Sequence, residues 1–215
     1  IKADEYEDNR HFFLAHVFRD NYEQNLSRLP YVASQAVVTR LEVWVTNKTR
    51  QTENVREVVA FADLGENKIQ NVRNPSVLNG NADAYTGNYS NKIFGLLTAN
   101  SELFRNQAKV INFLTSNGFQ SIDDYEKVSA RKLATSEYTF NPQLGYISLN
   151  YQLRPDEVLG VAVQYTVNGQ VYQIGEFSND LPPLADSAKS AERILALKML
   201  KATSIRVKNP IWNLM

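Results

Sequence analysis

In DEVLGVAVQYTVNGQVYQIGEF, residues 156 to 177, apolar and polar positions follow the two-residue period of a strand and reverse at Asn168-Gly169. Asn-Gly suits a type I′ turn, because both central residues need positive φ. The pattern therefore predicts a hairpin over 157–177 with Tyr165 opposite Tyr172 and Val163 opposite Ile174. Val161, Val163, Tyr165, Tyr172 and Ile174 then share one face, and Ala162, Gln164, Thr166 and Gln173 the other. Two more strands are predicted at 36–46 and 55–64, read as a second hairpin over 39–64 across the polar loop TNKTRQTEN. Within TRLEVWVTNK, Leu41, Val43 and Val45 face one way, and Arg40, Glu42, Trp44 and Thr46 the other. On the return strand, Val58, Ala60, Ala62 and Leu64 oppose Glu57, Val59, Phe61 and Asp63.

Helical periodicity marks other segments. Residues 9–27 place Phe13, Val17, Tyr22 and Leu26 near a 3.6-residue period, with Phe12, Leu14 and Phe18 widening the stripe and Pro30 ending it. Residues 65–92, rich in Asn and Gly, read as a long loop. Helices follow at 91–99 and 101–117, the second with Phe104, Ala108, Ile111 and Leu114 on one face and Gly118 as its C-terminal cap. SIDDYEKVSARKLATSEYTF fits either strand or helix, since Ser121 and Asp124 imitate a capping box. A last helix is predicted over 187–203, after LPP, with Ala191, Ile194, Leu195 and Leu200. The order of elements lacks regular βαβ alternation, so the expected class is α+β, antiparallel hairpins or sheet with packed helices.

Composition narrows the function more than the fold. The 215 residues are 43% hydrophobic and 21% charged, the balance of a folded chain. Lys plus Arg and Asp plus Glu are 23 each, so no net field draws nucleic acid or anionic lipid. The absence of cysteine excludes disulfides, thiolate nucleophiles and thiolate metal sites. No apolar stretch approaches a helical membrane span, and a chain running from Ile1 to NPIWNLM reads as a piece of something longer.

Candidate chemistry is sparse. His11 and His16 lie about 140° apart on the predicted helix, so they cannot bind one ion from one face. The acidic clusters at 4–8 and 123–126 read as solvated faces. The loop from Asn79 alternates oxygen side chains as a calcium loop does, but Ala84 stands where the turning Gly belongs and Ser90 where the closing Glu belongs. The tripeptides NLS, NKT and NYS match the short glycosylation pattern. No G-x-S-x-G, H-E-x-x-H or phosphate-binding loop occurs. The expectation is a protein without enzymatic activity, catalytic residues, metal or cofactor. Trp44 and Phe61, on the mixed faces of strands read as neighbours, are the candidate site: an aromatic cluster either covered by the 9–27 helix or exposed to a partner.

Five phrases, FFLAHVFRDNYEQNLSRLP, TRLEVWVTNKTRQTENVREVVAFADLGE, ARKLATSEYTFNPQLGYISLN, DEVLGVAVQYTVNGQVYQIGEFSND and PIWNLM, resemble in this order the SprA/Sov family of very large Bacteroidetes outer-membrane proteins. That resemblance implies a parent β-barrel serving type IX protein secretion and gliding motility. Residues 157–167 would pass as a membrane strand, but the predicted helices and the scarcity of such strands argue against barrel wall, so the chain is expected to be a soluble insertion, one domain over 1–215 or two subdomains near 1–75 and 100–205. The implied partners are other parts of the translocon, secretion-system subunits and secreted cargo, not nucleic acid, and the fragment itself does not span the membrane. Its implied place is the cell surface, with the periplasmic face as the alternative. A module recognising a surface glycan or cargo signal through Trp44 is the second functional reading, and a hydrolase the third.

Overall fold

The structure, a computed structural model, describes residues 7–48, 53–80, 85–181 and 193–204. In chain order the elements are β1 (His11–Phe13), α1 (His16–Asp20), α2 (Tyr22–Leu26), β2 (Ala36–Thr46), β3 (Val55–Phe61), α3 (Lys92–Ala99), α4 (Ser101–Phe104), α5 (Val110–Ser116), β4 (Tyr125–Lys132), β5 (Tyr138–Asn141), β6 (Tyr146–Leu149), β7 (Leu159–Val167), β8 (Gln170–Ile174) and β9 (Leu195–Lys201). Mixed strands and helices with mostly antiparallel pairing make this an α+β fold. No helix among the described residues is long and apolar enough to cross a membrane.

The larger sheet runs β2-β4-β3-β9-β7-β8, and β2 also pairs with β7. Strands β2, β4, β3, β9 and β7 therefore close into a ring, which leaves each strand paired on both sides. β7 makes this possible: one edge pairs with β2 from Ala36 to Val45, and the other is shared between β9 at Leu159–Val161 and β8 at Val163–Val167. Only β3 and β9 run parallel. A second, three-stranded antiparallel sheet has the order β1-β6-β5.

Both faces of the ring are buried. The inner set comprises Trp44, Val58, Ala60, Ala130, Ala162, Leu195, Leu197 and Met199, with Phe177. Small residues dominate one side because the interior is narrow: a Cβ on Gly160 would lie 3.2 Å from Leu197 Cδ1. The outer set joins Val43, Val45, Val59, Phe61, Val163 and Tyr165 to Phe13, Val17 and Phe18 on one flank and to Ile93, Leu97, Phe104 and Leu114 on another. A five-stranded ring has room inside for side chains only, so the helices pack outside.

The hairpin over β7 and β8 has the expected register, with Tyr165 paired to Tyr172 and Val163 to Ile174. Asn168 and Gly169 have φ of 48° and 82°, as a type I′ turn requires. The two tyrosine rings stack at 5.4 Å. The outer edge of β8 is partly closed by Asn88, whose amide N–H donates to Gln173 O at 2.7 Å while its side chain bonds both backbone groups of Gly175. Gly118, at φ 82°, ends α5 as predicted.

Four expectations are corrected. Residues 9–27 are not one helix: Phe12, Phe13, Leu14 and Ala15 are all buried, and a run that is apolar on every side is served by β1 pairing with β6 before α1 begins. The turn before β6 holds this arrangement, since a Cβ on Gly145 would lie 1.9 Å from Phe18 Cγ. Residues 101–117 divide into α4 and α5. Strands β2 and β3 are not a hairpin, because β4 lies between them and pairs with both. Of the predicted helix at 187–203, residues 187–192 lie outside the described residues, and Leu195–Lys201 form strand β9. Leu, Ala, Lys and Met favour helix locally, but a slot between β3 and β7 with apolar surface on both faces overrides that preference.

Candidate functional site

Trp44 is buried in the ring interior, 2% exposed, and Phe61 is buried outside it against Phe104, Phe119 and Tyr125. The structure does not bring the two together. Trp44 is opposite Lys132 and Phe61 is opposite Tyr125, positions seven apart on β4. An odd separation along a strand reverses the face. The early apolar segment also lies elsewhere: Phe18 packs edge-on against Tyr165 at 5.4 Å, on the outer face.

Around Trp44 the ring mouth is polar and internally paired. Glu42, on the same face of β2, accepts from Lys132 Nζ at 2.7 Å, Ser178 N at 2.9 Å, Ser178 Oγ at 3.0 Å and Trp44 Nε1 at 3.3 Å. Burial alone would raise the Glu42 carboxyl, but Lys132 and the Ser178 donors outweigh it and hold it below its ordinary value. Arg56 donates to Ser178 O at 3.2 Å, and Arg40 pairs with Asp180 at 2.7 Å while its guanidinium sits 3.9 Å over the Phe177 ring. Residues 177–180 are thereby fastened across the mouth.

A second cluster lies on the outer face. Lys198 of β9 and Glu66 have side chains with no exposure and are paired at 2.6 Å, and His16 Nδ1 approaches Glu66 Oε2 to 2.6 Å. Lys198 also donates to Ala62 O at 2.8 Å. Asn91 positions this turn: its Oδ1 caps α3 by accepting from Ile93 N, and its Nδ2 donates to Asp63 O and Glu66 O at 2.6 and 2.8 Å. Sequence reading missed the cluster. The signal that could have found it is the single Lys inside ILALKML, once that run is recognised as strand.

The cluster sets a pH dependence. Burial lowers the His16 pKa below its ordinary 6.5, with Lys198 and Arg19 in the same sense and Glu66 opposing. Glu66 is held below its ordinary 4.5, where burial, acting to raise it, is outweighed by Lys198 and His16. An imidazole kept neutral when folded takes up a proton more readily when unfolded, so its stabilising effect is complete above 6.5 and lost as pH falls towards the folded pKa. The Glu66 contribution, present above 4.5, is lost on further acidification. The urea midpoint is therefore expected to hold steady just above neutrality and fall on the acid side of 6.5. In His16→Gln the first part of this fall should flatten. An unchanged slope would refute the assignment.

Arg105, the residue that follows α4, makes a further buried pair with Glu176, which also accepts from Ala196 N at 2.9 Å. No group of three or more His, Cys, Asp or Glu among the described residues is placed to hold a metal ion. His11 bonds Ser148 and Glu7 and lies in β1, not on a helix shared with His16 as the sequence pattern predicts. The acidic positions Asp123 and Asp124 flank the turn into β4, where Asp124 accepts from Gln120 N at 2.8 Å. Of the loop once likened to a calcium site, residues 81–84 lie outside the described residues.

The geometry thus contains ion pairs at three buried carboxylates, Glu42, Glu66 and Glu176. A search of curated proteins returned no match. A comparison with protein families aligns residues 1–158 with SprA_N, described as motility related/secretion protein. That match spans most of the chain, from before β1 to the start of β7, and on it the chain belongs to the SprA_N family of motility related/secretion proteins.

Proposed function

We propose that this chain is a non-enzymatic structural and interaction domain of an outer-membrane translocon for type IX secretion and gliding motility, exposed at the cell surface. Family membership over residues 1–158 is the observation that carries the reading. The ion pairs at Glu42, Glu66 and Glu176 support it, because buried pairs of this kind specify one packing. Its contacts are other parts of the translocon, secretion subunits and cargo, and it uses no cofactor. Val171, 60% exposed on β8, and Tyr31, 79% exposed, are positions where a probe leaves the core intact. Val171→Cys in the full parent should react with a membrane-impermeant maleimide on intact cells, and a photo-crosslinker at Tyr31 should capture secretion subunits or cargo. Labelling only after the outer membrane is opened would assign the periplasmic face. Normal secretion and gliding after excision of the whole domain would overturn the reading.

A further inference from the structure

Asn25 of α2 is only 8% exposed. Its backbone is fully used: the N–H donates to Asn21 O at 2.9 Å and the C=O accepts from Ala33 N at 3.0 Å. No side chain or backbone group of the described residues hydrogen-bonds its carboxamide, whose polar atoms keep their contact with solvent and so remain open to a ligand. The residue lines a cleft of about 260 Å³ between α1–α2, the loop leading into β2 and Tyr85.

The walls of that cleft define a ligand chemistry. Gln24 and Arg28 offer uncommitted donors, and Ser34 Oγ, which donates to Ala36 O at 2.7 Å, keeps its lone pairs for accepting. Tyr85 supplies an aromatic wall; its far side is braced by Tyr172 at 5.4 Å and its hydroxyl reaches Gln35 Oε1 at 3.4 Å. Among the described lining residues there is no carboxylate to act as counter-charge for a cation, and Arg28 is the single cation, which is too little for a phosphate. A peptide added as a strand has no edge to join: β2 pairs with β7 from Ala36, and Val38 N already donates to Pro142 O at 2.8 Å. What fits is a small neutral ligand dense in hydroxyls with one apolar face, sized below the usual pocket for larger molecules.

We propose that this cleft is a saccharide subsite that holds one neutral pyranose ring, with the Asn25 carboxamide donating to one hydroxyl and accepting from its neighbour while Tyr85 covers the ring face. The site stands apart from the translocon reading, and each can fail without the other. The test is a ¹⁵N NMR titration of the full chain with glucose, galactose, mannose and N-acetylglucosamine at tens of millimolar, with inorganic phosphate and tetra-alanine in parallel arms. One sugar or more should shift the Asn25 side-chain amide saturably. Asn25→Leu should weaken that binding at least about tenfold, since it removes both the donor and the acceptor offered to the ring hydroxyls. Should Asn25→Leu fail to fold, Gln24→Ala, an exposed change, should weaken the same binding. Absence of a saturable shift with all four sugars would overturn the proposal, as would unaltered sugar binding in the variants. Saturation by phosphate or tetra-alanine alone would also overturn it, in favour of an anion or peptide site.

Discussion

Trp44→Ala is expected to destabilise the chain by about 3 to 5 kcal/mol, the usual cost of truncating a large aromatic in a closed core. The indole fills the ring interior beside Ala130, Ala162 and Met199, and hydrogen-bonded strands on every side cannot move in to take up the space. Trp44→Phe should cost less, because it keeps most of the volume and gives up the bond from Nε1 to Glu42. Urea unfolding reads the first effect. Fluorescence reads the environment: with Trp212 replaced, emission should be that of a buried indole. A change of less than about 0.5 kcal/mol with Trp44→Ala, the size of an ordinary surface substitution, would show that Trp44 is not a core residue.

Lys198→Met should be as damaging, about 3 to 5 kcal/mol, for an electrostatic reason. It leaves the fully buried Glu66 carboxylate without its ammonium partner at 2.6 Å. The informative variant is the double replacement Lys198→Met, Glu66→Met. Removing both charges eliminates the uncompensated one, and a buried ion pair exchanged for apolar groups is often close to neutral. The double variant should therefore recover much of the loss, with a coupling of about 1 to 3 kcal/mol in a double-mutant cycle. Additive losses would mean that the two side chains act independently, and would remove the pair from any account of how β9 is held against the turn at Glu66.

Both effects concern places where sequence and structure diverge in what they reveal. The sequence alone determined what local chemistry decides. Asn168-Gly169 turns the chain by its own backbone preference, and alternation in the flanking strands then specifies the Tyr165–Tyr172 register. Strands β2 and β3 were legible for the same reason, as was the cap at Gly118. The family phrases were legible as well: the first three lie within the match over 1–158, whereas nearly all of DEVLGVAVQYTVNGQVYQIGEFSND and the whole of PIWNLM lie beyond it. For the candidate site, the sequence made Trp44 conspicuous as a tryptophan on a polar side, but it could not say what covered it.

Tertiary structure decided the remainder, because each such decision rests on a partner far along the chain. Whether β2 and β3 touch depends on β4, which begins more than sixty positions after β3 ends; its insertion places Trp44 and Phe61 on opposite faces. Leu195–Lys201 carries good helix formers, yet it becomes a strand because β3 and β7 leave a slot with apolar surface on both sides. Asn25 looks like any surface residue of a helix until the loop into β2 folds over it. In each case local propensity is worth a fraction of a kcal/mol per residue, while burial of a whole side chain is worth about 1.5 to 3 kcal/mol, so the surroundings prevail wherever the two disagree.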